Sequence, residues 1–328
     1  MKWFLCICTV FFLGITVFAD SEVAQKTRTA IERSVPYIES AGNTWITTKQ
    51  CVSCHRVNTM VWSLGASRAA GARVGEEAEE TLRWAIDVSL KANDEGQPAV
   101  NGNKEGVAQL LLAQLDHFQN ISSTDIREAF RQALMHDLDE QAMWPAGGQL
   151  PSQKRSQKET TEVSTYWLSL AASRLGCLDL FPTVVRRLHE PLPADLNARS
   201  TEWYAVRLLL ANSLQDHASA RRLRADLFEY QQGNGGWGWL INEESDALGT
   251  GLALYALLTS GSMPSEKQAR AARAFLLSSQ QGDGSWVVKG TKAKKQELAQ
   301  ETAGYWGTCW ATIALAECLL RDEVQQTQ

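Results

Sequence analysis

The sequence predicts an all-α protein, an α/α toroid of about six helical hairpins arranged as an inner and an outer ring. Three observations carry that expectation. Helical periodicity dominates the chain beyond its N-terminal segment, helices that are apolar almost all round alternate with amphipathic ones, and one four-point residue register recurs. A helix apolar on every side belongs inside a protein, whereas an amphipathic one covers it.

Taken in order, amphipathic segments lie near 22–41, 76–92, 123–138, 179–189, 217–231 and 265–280. Each is followed by a loop and then an apolar segment, near 57–72, 105–118, 161–176, 200–213, 246–260 and 303–320. Six outer-then-inner pairs form two concentric rings, with the apolar helices as the inner barrel. The segments 59–68 and 165–174 share T-x3-S-L-x-A-S-R, which aligns the first hairpin with the third.

The N-terminus reads differently. Lys2 precedes an apolar run over 3–18 that ends in a small residue, Ala19, the layout of a secretory signal peptide. We expect a signal peptide at 1–19 and a single toroid domain at 20–328, exported to the periplasm or the extracellular space. An uncleaved anchor is the alternative reading, but the run falls short of the ~20 apolar residues that a membrane span needs. No transmembrane span is therefore expected after cleavage. Removing Lys2 leaves 31 basic against 37 acidic side chains, a net charge of −6 with no dense basic block, which argues against nucleic acid as a partner. Of the seven cysteines, Cys51, Cys54, Cys177, Cys309 and Cys318 remain, too few and too spread out for a disulfide framework.

The register appears without change in Leu227, Gln231, Gly235 and Trp237 and in Leu276, Gln280, Gly284 and Trp286. Val35, Glu39, Asn43 and Trp45 keep it with two substitutions, and Leu134 and Trp144 keep its ends. The glycine permits a positive φ where the helix ends, the indole can lie over that end, and the glutamine can satisfy terminal carbonyls. These are expected to be structural residues.

The strings Gln231-Gln232-Gly233-Asn234-Gly235-Gly236-Trp237 and Gln280-Gln281-Gly282-Asp283-Gly284-Ser285-Trp286 resemble the QW repeats of the terpenoid cyclase and protein prenyltransferase superfamily. The resemblance is strongest over 217–320. It implies the toroid, and the family's activities can be checked motif by motif. Squalene-hopene-type cyclases carry an acidic D-x-D-D at the mouth of an inner helix. The nearest string here, Asp137-Leu138-Asp139-Glu140, closes an outer helix instead. Prenyltransferase β subunits hold zinc with a D-x-C and an H-T-C, where this chain has Asp246-Ala247-Leu248 and Gly307-Thr308-Cys309. One of three protein ligands does not make a zinc site. Neither usual set is matched, so the resemblance leaves enzymatic activity undecided.

The sharpest chemical motif is Cys51-Val52-Ser53-Cys54-His55, the C-x-x-C-H string that attaches c-type haem. It falls in the loop 46–57 between the first outer and first inner helices. The reading is one covalent haem, with thioethers from Cys51 and Cys54 and His55 as iron ligand. A local disulfide, free thiols, or another metal are the alternatives. An independent small cytochrome domain is hard to fit, because there is no methionine between Met60 and Met135 to serve as a distal ligand. For a sixth ligand, Met143, His189 and His136 share the cysteine rim, His117 and His217 fall toward the other one, and Met60 and Met135 complete the candidates. An open, five-coordinate iron is the remaining option.

Glu105, Glu162, Glu202, Asp246 and Glu301 sit where inner helices begin, as caps or as a ring able to attract a cation or basic partner. Lys289, Lys292, Lys294 and Lys295 form a basic loop that could meet haem propionates or an acidic partner. Three functions follow. The first is an exported haem protein for electron transfer, redox sensing or ligand binding, with a redox partner protein. The second is a cyclase-like or prenyltransferase-like enzyme acting on an isoprenoid in a lumen lined by Trp167, Trp203, Tyr255 and Trp310. The third is a noncatalytic scaffold binding a small apolar ligand.

Overall fold

A computed structural model of the chain describes residues 4–49, 52, 56–91, 104–118, 124–147, 152–192, 197–294 and 300–326. Twelve α-helices occur among them, with no β-strand. They alternate as expected. The outer helices are α1 (Phe4–Lys49), α3 (Glu77–Leu90), α5 (Thr124–His136), α7 (Pro182–Leu188), α9 (His217–Tyr230) and α11 (Lys267–Ser279). The inner ones are α2 (Val57–Ala69), α4 (Lys104–His117), α6 (Gln157–Arg174), α8 (Thr201–Ser213), α10 (Ala247–Thr259) and α12 (Glu301–Gln326).

Each inner helix packs on the next, α2 on α4 and so on round to α12, and α12 closes on α2. The result is a closed α/α toroid. Burial follows the sequence pattern. Every residue of α10 from Ala247 to Leu258 is buried, whereas α11 buries Ala269, Ala272, Arg273 and Leu276, one helical stripe. Each fully buried leucine of the inner ring contributes ~1.5–3 kcal/mol relative to exposure, so the ring is the main stabilising element.

The recurring register has a physical basis in the hairpin turn. Trp237 donates its indole N–H to the Leu227 carbonyl (2.8 Å), Trp286 to that of Leu276 (2.9 Å) and Trp144 to that of Leu134 (2.8 Å). The backbone N–H of each tryptophan donates to a threonine hydroxyl on the following inner helix: Thr250, Thr308 and Thr165. The residue two before the tryptophan turns the chain through a positive φ, 90° at Gly235, 86° at Gly284 and 58° at Ala142. A Cβ on Gly284 would stand 2.1 Å from the Arg33 carbonyl oxygen, so the glycine also allows the turn to approach the next outer helix.

Two expectations need correcting. The glutamines reach beyond their own turn, since Gln231 Nε2 donates to the carbonyls of Gly235 and of Gln268 on α11. Gln280 Nε2 likewise donates to Gly284 and to Ala30 on α1. They therefore stitch neighbouring outer helices together. The first hairpin also departs from the register. Asn43 stands where the glycine would, the helix does not turn there, and α1 runs on to Lys49. At its other end α1 begins at Phe4 and continues without interruption through the expected leader boundary and past Pro36.

Among the described residues, the outer-to-inner loops of the third, fifth and sixth hairpins meet across one rim. Lys154 N donates to the Thr291 carbonyl (2.9 Å) and Ala293 N to that of Ser152 (3.2 Å), joining the loop of the third hairpin to that of the sixth, opposite it in the ring. Lys154 also pairs with Glu243 from the fifth. Among the described residues, no helix is long and apolar enough to cross a membrane.

Candidate functional site

Beneath the folded-over loops, the N-terminal ends of the inner helices bring together a buried polar layer. Arg155 and Glu202 form an ion pair at 2.7 Å with both side chains fully buried. Glu202 also accepts from the Trp167 indole at 3.1 Å, and the Arg155 guanidinium lies 5.5 Å from the centre of the Trp239 ring. The Nε and Nη2 atoms of Arg155 have no partner. Glu105 lies close enough to feel both charges and accepts from Ser164 Oγ at 2.7 Å. Burial first, and then the negative charge of Glu202, push the Glu105 carboxyl up to about 8, partly offset by Arg155. The shift favours its neutral form. Asn58 and Gln109 bond to one another beside it.

The other carboxylates expected at this rim are individually occupied. Asp246 caps α10, accepting from Gly249 N (2.7 Å) and Trp239 N (2.8 Å). Its burial raises its pKa to about 6 despite those bonds. Glu162 accepts from the Trp203 indole at 2.8 Å, and Glu301 pairs with Arg56. Asp139 closes the turn after α5 by accepting from Gln141 N and Met143 N. Among the described residues, no three His, Cys, Asp or Glu converge as a metal site. Each of these carboxylates thus has its own bonded partner, and Glu301 alone among the five at the inner-helix starts is exposed.

Below the polar layer the lumen is filled. Trp62, Trp167, Tyr255 and Trp310, one from each of four inner helices, pack with ring centroids 5.4–6.1 Å apart. Trp203, expected in this lining, lies elsewhere, against Tyr166 and Tyr204. Trp62 takes its place. A cavity of about 90 Å³ remains under the plug at the opposite mouth, between Asp116, Arg174 and Tyr255.

The residues Cys51, Cys54 and His55 lie outside the described residues. The motif is flanked by Trp45 near the end of α1 and Arg56 before α2. Arg56 is 3 % exposed, its guanidinium 4.4 Å from the Trp45 ring centre and 4.7 Å from that of Tyr305. Trp45 Nε1 and Arg56 Nε are buried without a partner among the described residues. The tryptophan that caps a helix in three other hairpins is uncommitted here, because α1 does not end where the register would end it. A cavity of about 490 Å³ lies between α1, α2 and α3, with Met60 and Leu64 on its apolar wall and Glu39, Glu76 and Glu80 among its acidic residues. That is within the ~300–1,000 Å³ of small-molecule and cofactor sites.

The candidate axial ligands are scattered. Met143 is buried in the loop of the third hairpin and His189 caps α7 in the fourth, two and three hairpins round the ring from the motif. His136 is exposed and bonded to Asp137, and Met135 is exposed beside Arg131. Met60 is buried against Gly42. His117 and His217 lie at the other rim, at the end of α4 and the start of α9. Of the lysines, Lys289 pairs with Glu244 at 3.0 Å, and Lys295 lies outside the described residues. Arg56, Arg155 and Trp62 were not legible as site residues. An arginine directly ahead of an inner helix was the available signal.

No family model matches the chain, and no curated protein matches its sequence. Solved structures do match its fold. The apo type II terpene cyclase MstE from Scytonema superposes with a TM-score of 0.60 at 14 % identity, over 91 % of this chain and 99 % of that one. A glycosyl hydrolase of family 88 from Bacteroides vulgatus gives 0.60 at 13 % identity, over 90 % and 99 %. An ent-copalyl diphosphate synthase from Streptomyces platensis gives 0.50 at 15 %, over 80 % of this chain and 50 % of that one. The fold is a terpenoid-cyclase-like toroid, and at these identities the likeness is one of fold.

Proposed function

We propose that this chain is an exported toroid carrying one c-type haem, attached through Cys51 and Cys54 with His55 on the iron, and serving electron transfer, redox sensing or ligand binding. The observation that carries the reading is the Cys51-Val52-Ser53-Cys54-His55 motif itself, and it is supported by two buried donors that flank it and have no partner among the described residues, Trp45 Nε1 and Arg56 Nε. An unpaired buried donor is costly, and N–H groups of this kind suit the carboxylates of a porphyrin edge. The cavity against Met60 and Leu64 supplies apolar wall in the same hairpin. When bound, haem would supply a one-electron couple or a ligand-binding iron. The chain's own residues would exclude water with the Trp45–Arg56–Tyr305 stack and hold charge with the Arg56–Glu301 pair. The filled lumen also favours chemistry at the rim over chemistry inside.

A second reading is favoured by a different observation. The structural neighbours support a cyclase-like enzyme more than they support a haem protein, and Glu105 is a buried acid, shifted toward its neutral form, above an aromatic core. Against it stand the plug of Trp62, Trp167, Tyr255 and Trp310 and the loops crossing the mouth.

Two measurements separate the readings. The protein is expressed with its leader in a host that exports and matures c-type cytochromes, and a denaturing gel is stained for haem. A stained band that disappears in the Cys51→Ser/Cys54→Ser variant is the expected result. No covalent haem, or haem kept by that variant, would sink the first reading. Incubation with farnesyl, geranylgeranyl and squalene-type polyenes is expected to give no product. Cyclised product that is lost in Glu105→Gln would establish the second. Failure of both leaves a noncatalytic binding scaffold.

A further inference from the structure

Arg207, on the inner helix α8, is 2 % exposed, and among the described residues no carboxylate pairs with it. Its Nη2 donates to the Leu188 carbonyl at 2.6 Å, and its guanidinium lies 5.2 Å from the centre of the Tyr166 ring. Its Nε and Nη1 have no partner. A guanidinium stays charged when buried and calls for an anion or a full set of acceptors; Glu162 and Asp216 act on Arg207 through their charge, but among the described residues no carboxylate bonds to it.

The side chain lines a cavity of about 260 Å³ between α6, α7 and α8. Met143, Tyr166, Leu188, Leu192 and Trp203 give it an apolar, aromatic wall. Arg187 and Lys158 add positive charge at its edge. Of the three glutamates that line it, Glu190 is exposed, Glu159 is engaged by the backbone N–H groups of Arg199 and Ser200 and by the Ser200 hydroxyl, and Glu162 by the Trp203 indole. The donors left over are those of Arg207.

We infer that this cavity is a binding site for a small organic carboxylate with an apolar or aromatic body, its charge on Arg207 and its body against Tyr166 and Trp203. The glutamates nearby select the charge type. A monoanion meets less repulsion from Glu159 and Glu162 than a phosphate dianion does, so a carboxylate fits better than a phosphate. Nothing in this inference depends on haem or on the lumen.

The test is calorimetric titration of the full chain with phenylacetate and with its neutral counterpart, 2-phenylethanol. Saturable phenylacetate binding is expected, with 2-phenylethanol weaker by about tenfold or more. Arg207→Gln should weaken phenylacetate by about tenfold or more and leave 2-phenylethanol unchanged. Because a buried arginine can be needed for folding, Arg187→Gln at the cavity edge is the second variant, and a smaller loss confined to phenylacetate is expected. Absence of saturable phenylacetate binding to the wild type, equal affinity for the alcohol, or an unchanged affinity in both folded variants would each overturn the assignment.

Discussion

Trp237 donates its indole N–H to the main-chain carbonyl of Leu227, 2.8 Å away, and thereby closes the C-terminal end of α9 with a side chain from the loop that follows it. Trp286 and Trp144 repeat the bond at their own hairpins. Trp45 does not, because α1 continues past it, and its Nε1 has no partner among the described residues.

Trp237→Phe keeps most of the buried surface but leaves the Leu227 carbonyl without its donor. Chemical denaturation should show a loss of about 1–3 kcal/mol. The same change at Trp45 removes an N–H that has no partner among the described residues, and in protein lacking haem it should cost much less.

Ala142 holds φ at 58° where Gly235 and Gly284 hold the equivalent turn. An L residue in the left-handed region is strained, and glycine is not. Relief of that strain, ~1–2 kcal/mol, outweighs the ~0.4–1 kcal/mol of extra chain entropy that glycine loses on folding, so Ala142→Gly should raise stability by about 0.5–1 kcal/mol. Gly284→Ala should do the reverse, since its Cβ would meet the Arg33 carbonyl at 2.1 Å. Thermal melts of the two variants read the opposite signs directly.

Glu105 has a folded pKa of about 8 against an ordinary value of 4.5, so the folded state holds a proton that the unfolded state releases. Its contribution to stability is fully present below about 4.5 and is lost as pH rises through about 8. Glu105→Gln mimics the neutral acid. Denaturation midpoints at pH 5, 6.5 and 8 should fall less steeply in the variant than in the wild type, and a parallel fall would show that Glu105 ionises normally.

Arg155 and Glu202 are a fully buried pair. Breaking it from one side strands a charge, so Arg155→Met should cost about 3–5 kcal/mol. The double variant Arg155→Met/Glu202→Leu should recover much of that loss, although the Trp167 indole then loses its acceptor. A double-mutant cycle in denaturant measures the coupling.

Much of the scaffold was already written in the chain. The alternation of all-apolar and amphipathic segments placed all twelve helices, because burial on every side or on one stripe is a property of residue order alone. The Leu-to-Trp register located the turns, since each is a local bond across ten residues. The motif Cys51-Val52-Ser53-Cys54-His55 is likewise a sequence property, and it remains the basis of the proposed haem. What only the tertiary structure decided is what meets across the ring. Trp62, Trp167, Tyr255 and Trp310 come from separate helices, and nothing in their spacing says that they fill one lumen. The loop of Lys154 reaches that of Thr291 only once the toroid has closed. The charge states of Glu105 and Asp246 depend on burial and on neighbours brought from other hairpins, so they could not be read before the inner helices were placed.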